Sequence, residues 1–134
     1  MTAYDALKDS FLPGKGGAVY GLLTDMSLAV RITQSAKHCN LTAQHHDRAA
    51  RLLEQVLQKK PRLIIIDWDH CEAEGFKFLN ELNKNADLKQ VPVIGTMTSS
   101  NTVLQQEARR AGCIKVYGKT EFKKELDPLL ARYS

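Results

Sequence analysis

The 134-residue chain has no apolar run that approaches the length of a bilayer span. Its amino terminus also lacks a basic segment followed by a hydrophobic core. Membrane insertion and export are therefore not expected, and the expected location is the cytoplasm. Cysteine is scarce: Cys39, Cys71 and Cys113 are odd in number and far apart, which suits reduced thiols rather than a disulfide framework. No long Lys/Arg run occurs, and a net charge of +4 with a pI near 9.0 is a small excess, so nucleic acid is not the expected partner. Low-complexity tracts and internal repeats are missing, and 43% hydrophobic with 25% charged residues is near the globular average and indicates neither a disordered nor a fibrous chain. The length leaves room for one ordinary domain with a single substantial core.

Met1 to Gly17 reads as an extension and linker, with residues 18–134 as the folded domain. Ala3 to Phe11 can form a short amphipathic helix through Tyr4, Leu7 and Phe11, and Pro13-Gly14-Lys15-Gly16-Gly17 breaks it. That Gly-Lys-Gly-Gly lacks the spacing of a phosphate loop, and no strand precedes it.

From Ala18 the pattern alternates strand and helix five times. Expected strands are Ala18 to Thr24, a polar edge strand Leu41 to His46, Arg62 to Asp67, Val91 to Thr96, and Ile114 to Gly118. The expected helices begin with Ser27 to Cys39, which buries Leu28, Ile32 and Ser35 and stops at Asn40. A second, capped by Asp47 and running to Lys60, buries Ala50, Leu53, Val56 and Leu57. A third is marked by Phe76, Leu79 and Leu82. A fourth, capped by Ser99 or Ser100, carries Val103, Leu104 and Ala108 and ends at Gly112. The last is Thr120 to Tyr133 with Phe122, Leu126, Leu129 and Leu130, and Asp127-Pro128 is positioned to bend it. Short connections between alternating elements demand right-handed crossovers, hence parallel strands with helices on both faces.

The most informative stretch is Leu63-Ile64-Ile65-Ile66-Asp67, a β-branched run that suits a strand buried on both faces and ends on a carboxylate. Open parallel sheets place their ligand crevice at that end. Asp25, Asp67 and Lys119 should all emerge there. Neighbouring carboxylates repel unless a cation neutralises them, and oxygen ligands suit Mg²⁺. Asp67 would then be a nucleophile able to form an acyl phosphate, with Lys119 as a point charge for phosphoryl oxygens.

These residues resemble the receiver domains of two-component response regulators. The resemblance spans Ala18 to Tyr133 and rests on Thr24-Asp25, Ile65-Ile66-Asp67-Trp68, Gly75 eight residues after Asp67, Val91-Pro92-Val93-Ile94, Ala111-Gly112 and Gly118-Lys119, with no gap between Asp67 and Lys119. It implies a doubly wound (βα)5 three-layer sandwich, flavodoxin-like, with a five-stranded parallel sheet in the order 2-1-3-4-5. It also implies Asp67 as phosphoacceptor, Asp25 as a Mg²⁺ ligand, Asp69 as a ligand through its backbone carbonyl, and Lys119 as the phosphoryl contact. The donor implied is a histidine kinase or phosphotransfer protein.

The sequence departs from the family pattern at several points. Thr24 stands where a second acid usually does, so Mg²⁺ should be held weakly. Met97 stands at the switch position where a Thr or Ser hydroxyl is usual, and Thr96 or Thr98 would substitute only if the strand slipped by one residue. Thr120 and Cys71 replace two prolines, and Val116 occupies the aromatic switch position. The expectation is an atypical receiver with a weakened or lost phosphorylation switch. The alternative is a phosphorylation-independent pseudo-receiver acting as an adaptor or localisation module. A flavodoxin-like enzyme binding a nucleotide or flavin is disfavoured, because strand one does not lead into a phosphate loop.

The resemblance also implies a partner face on the fourth helix, fifth strand and fifth helix, where Arg109, Arg110, Lys115, Lys123 and Lys124, with Val116, would favour an acidic protein through complementarity, although charge runs more often only solubilise. His38-Cys39, His45-His46 and His70-Cys71 lack the local spacing of a zinc site. Trp68 and Cys113 are expected to pack.

Overall fold

The computed structural model describes residues 17–98 and 100–134, so the expected helix at Ala3 to Phe11 and the capping role of Ser99 lie outside the described residues. Among the described residues five strands alternate with five helices. In chain order they are β1 (Ala18–Leu22), α1 (Met26–His38), β2 (Thr42–His46), α2 (Ala49–Gln58), β3 (Leu63–Asp67), α3 (Glu72–Asn83), β4 (Val93–Met97), α4 (Thr102–Ala111), β5 (Val116–Gly118) and α5 (Lys119–Ala131). Every strand pair is parallel, and the sheet order is β2-β1-β3-β4-β5. Parallel strands need crossovers, and α1 to α4 supply the four.

The two faces of β3 explain why its sequence is uninterrupted by polar residues. Ile64 and Ile66 join a cluster that includes Leu52 and Val56 of α2, Phe78 and Leu79 of α3, and Leu104 of α4. Leu63 and Ile65 point the other way, to Leu28 and Ile32 of α1 and Phe122 and Leu126 of α5. A strand with apolar cover on both sides can expose only its end, and that end is Asp67. The edge strand β2 is the polar one expected, and all five of its residues keep some exposure.

Several boundaries differ from expectation for identifiable reasons. β1 stops at Leu22 rather than Thr24, because Asp25 caps α1 by accepting the Leu28 N–H at 3.1 Å. Asn40 follows α1 with φ of 59°, the left-handed stop its residue type favours. Asp47 does not cap α2, which starts at Ala49 after Arg48 without a side-chain cap; the Ala49 N–H donates instead to Glu74 Oε1 of α3 at 2.8 Å. The buried stripe of α2 is Ala49, Leu52 and Val56, one residue before the expected Ala50 and Leu53, and Leu57 is exposed. Asn101, rather than Ser100, caps α4 through the Leu104 N–H, and Val103 is exposed. β4 begins and ends later than expected, at Val93 and Met97, and β5 is cut to Val116–Gly118 with Ile114 outside it and exposed. α5 runs through Pro128 to Ala131.

Candidate functional site

The parallel register brings the ends of β1, β3 and β5 to one rim of the sheet. Asp25, Asp67 and Lys119 meet there, on the one rim that the parallel topology gives them. Lys119 opens α5 directly after β5, and its side chain reaches back over β3. Its ammonium lies 3.3 Å from each Asp67 carboxylate oxygen, 2.9 Å from Asp69 Oδ2 and 3.5 Å from Asp25 Oδ2. Asp67 is wholly buried, and its Oδ1 also accepts the Asp69 N–H at 3.0 Å. A carboxylate out of water needs such partners.

Charge accounts for the state of this cluster. Burial pulls the Lys119 ammonium down, but the Asp69 and Asp67 carboxylates outweigh it and hold its pKa above the ordinary lysine value. Asp25 is held below the usual carboxylate range, first by the Leu28 N–H and then by Lys119, against some desolvation. For Asp69 desolvation acts upward, yet the Thr98 hydroxyl and N–H together with Lys119 leave it lowered. Ionised acids around one ammonium form a centre that is net negative and hydrogen-bonded to itself.

The expected role of Asp69 runs through its main-chain carbonyl. Its side chain also turns into the site, which sequence reasoning did not anticipate. Both carboxylate oxygens accept the Thr98 N–H, at 2.9 and 3.1 Å, and Oδ2 accepts the Thr98 hydroxyl as well. One available signal is Asp67 itself, because an Asp side chain readily accepts the N–H two residues on and so folds residue 69 back towards it.

The strand-slip condition attached to Thr96 and Thr98 is overturned. Asp67 pairs with Thr96 in the gapless register, and Met97 turns away into the core beside Leu104 and Ala108. Thr98 reaches the site without any slip, from the first position after the strand. The hydroxyl of Thr96, on the Asp67 face of the sheet, is buried and has no hydrogen-bond partner among the described residues. Thr24, the non-acidic neighbour of Asp25, is exposed and lines a hollow with His46, Asp47 and Arg51.

The basic residues are spread over more than one surface. Arg109 and Arg110 are exposed on α4, and Lys115 lies 4.3 Å over the Tyr117 ring. Lys123 and Lys124 line a hollow between α1 and α5 with Arg31 and His38, and Val116 packs against the β4–α4 side of the core. All three cysteines are free, and burial pushes the Cys113 thiol up to about 12. Among the described residues no three His, Cys, Asp or Glu side chains are gathered at metal-ligating distance, and no helix is long and apolar enough to cross a membrane.

No family model matches the chain. Two-component response regulator ORR3 of Oryza sativa is 31% identical over 85 residues, a match that covers 63% of this chain and 63% of that protein. Among solved structures, a response regulator from Hahella chejuensis superposes with a TM-score of 0.75 at 20% identity, covering 87% of this chain and 93% of the other. The receiver domain of a sensor histidine kinase from Pseudomonas aeruginosa, with magnesium in its active-site cleft, gives 0.74 at 14% identity over 88% and 97%. Chemotaxis response regulator CheY4 of Vibrio cholerae gives 0.74 at 16% identity over 87% and 98%. Five parallel strands in the order β2-β1-β3-β4-β5 give this chain the fold of the receiver domains it superposes on, and over 85 residues, less than two thirds of that relative's length, its sequence is similar to a two-component response regulator.

Proposed function

We propose that the domain accepts a phosphoryl group on Asp67 from a phosphohistidine of a histidine kinase or phosphotransfer protein. The observation that carries this reading is a buried carboxylate with both oxygens 3.3 Å from one ammonium, at the carboxyl rim of a parallel sheet. An Asp67 oxygen would attack phosphorus while the phosphorus–nitrogen bond of the donor breaks and the imidazole leaves. The product is an acyl phosphate. Lys119 is already placed to follow the charge onto the phosphoryl oxygens.

The carboxylate oxygens of Asp25 and Asp67 and the main-chain carbonyl of Asp69 are the hard donors that a Mg²⁺ ion prefers. They fit such an ion, because the position among the acids already holds a cation, the Lys119 ammonium. When bound, the ion would offset phosphoryl charge. With Thr24 contributing no carboxylate, the ion would be held weakly.

A second reading has its own support. Met97 is sealed in the core and Val116 packs against the same cluster, so the positions expected to relay the state of Asp67 carry neither a hydroxyl nor an aromatic ring. On that reading the domain binds partners, an acidic protein at one of its basic surfaces among them, without a phosphorylation-driven change.

Trp68 separates the two. It is the only tryptophan, follows Asp67 directly and is buried. On adding beryllofluoride and Mg²⁺, the acceptor reading expects a saturable change in its fluorescence that Asp67→Asn abolishes. A flat trace in both proteins would favour the phosphorylation-independent module.

A further inference from the structure

The best-supplied carboxylate at this rim is Asp69, not Asp67. Asp67 receives the Asp69 N–H and two long contacts from Lys119. Asp69 receives the Thr98 N–H on both oxygens, the Thr98 hydroxyl, and the closest approach of the Lys119 ammonium, at 2.9 Å. A backbone amide, a hydroxyl and an ammonium converging beside a nucleophilic carboxylate make a cradle for an oxyanion.

Resting on Asp67 as the acceptor, we infer that Asp69 is an internal latch: its carboxylate occupies the oxyanion cradle of Thr98 and Lys119 in the resting domain and must leave before a phosphoryl group can be held there. A phosphoryl group on Asp67 and the Asp69 carboxylate would compete for these donors, because like charges held close together repel. Lys119 is the donor common to both carboxylates, so each contact it makes to Asp69 is one withheld from a group on Asp67. The Asp69 side chain retains 17% exposure against 0% for Asp67, so it has a path outward to water that Asp67 lacks. Thr98 follows β4 directly, so the latch also ties the β3–α3 loop to the end of β4. Opening it frees both segments together.

The latch makes a prediction opposite to that for a residue that helps to hold the ligand. A competitor closed most of the time lowers apparent affinity by the fraction of time the site is open. Removing it should therefore tighten binding. Calorimetric titration of beryllofluoride at saturating Mg²⁺ into Asp69→Ala is expected to show about tenfold tighter binding than the original protein. Asp69→Asn, which keeps the shape and loses the charge, should fall between them and decides the matter if the alanine variant does not fold. The main-chain carbonyl of residue 69 survives in both variants. Equal or weaker binding by both variants, with the original protein binding, would overturn the latch and leave the acceptor intact. No binding by any of the three would overturn both.

Discussion

Replacing Lys119 by methionine should lower stability by about 3 kcal/mol in the presence of a chelator, and millimolar Mg²⁺ should restore most of the loss. Methionine preserves the length and apolar packing of the side chain but leaves Asp67, wholly buried, without its counter-charge, and leaves Asp25 and Asp69 with no cation between them. Breaking a buried pair by removing one member is far more damaging than losing a surface pair, because the remaining charge is stranded out of water. For a domain of this size the melting temperature would fall by roughly 10 °C. An external divalent cation takes over the work of the ammonium, so the variant should gain more from Mg²⁺ than the original protein does. Thermal melts of both proteins with and without Mg²⁺ measure this. A variant as stable as the original in chelator would mean that Lys119 is not what holds the acids together.

The second large effect concerns the floor beneath Asp67. The Trp68 indole is buried between two glycines: a Cβ on Gly95 would overlap its Nε1 and lie 2.6 Å from Cδ1, and one on Gly75 would lie 2.8 Å from Cζ3 and 3.1 Å from Ile66 Cγ2. Phe76 adds a tilted ring contact at 4.7 Å between centroids. The ring is rigid and enclosed, so it cannot yield as a flexible side chain would. Gly95→Ala should lose about 2–3 kcal/mol through overpacking, and Trp68→Phe about 2 kcal/mol through the space it leaves. The informative result is their coupling. Because the smaller ring vacates the volume the new methyl group needs, the double variant should be at least about 1 kcal/mol more stable than the sum of the single losses implies. Chemical denaturation of the four proteins gives the coupling term. Simple additivity would show that the glycine at 95 is not there to admit the indole.

What was legible in the sequence was what depends on short-range pattern. An unbroken β-branched run ending on Asp67 can only be a covered strand, and alternation with short connections leaves few topologies besides a parallel one. Asp25, Asp67 and Lys119 could then converge, because the sheet carries all three ends to one rim. The errors arose where distant parts of the chain decide. The sequence of α2 runs Ala49-Ala50, Leu52-Leu53, Val56-Leu57, so shifting the stripe by one residue leaves an equally good amphipathic pattern. Docking against β1 and α3 breaks that tie, and no local feature encodes it. The first amide of α2 is satisfied by Glu74, 25 residues away, which is why the local candidate Asp47 was misplaced as a cap. The Asp69 side chain was missed for a similar reason: its partner Thr98 lies 29 residues on, across a strand pair.

At Met97 and Thr98 the end of β4, rather than strand alternation, decides which side chain faces the acids. In sequence, a hydroxyl at 98 looked one residue out of place, usable only if every β4 side chain changed faces. In the structure the strand ends at Met97, and the first residue past it is free of the alternation that binds the strand. Met97 stays with the core, Thr98 turns to the acids, and no register is broken. The Thr98 hydroxyl is therefore tied to Asp69, while the adjoining core position is filled by an apolar side chain.

The most direct test of the acceptor site is intact mass spectrometry of the protein after incubation with phosphoramidate and Mg²⁺, with peptide mapping of the product. The arrangement of Asp67 and Lys119 predicts the addition of one phosphoryl group, located on Asp67 and lost in Asp67→Asn. An unmodified original protein, or an Asp67→Asn variant that is modified to the same extent, would contradict it.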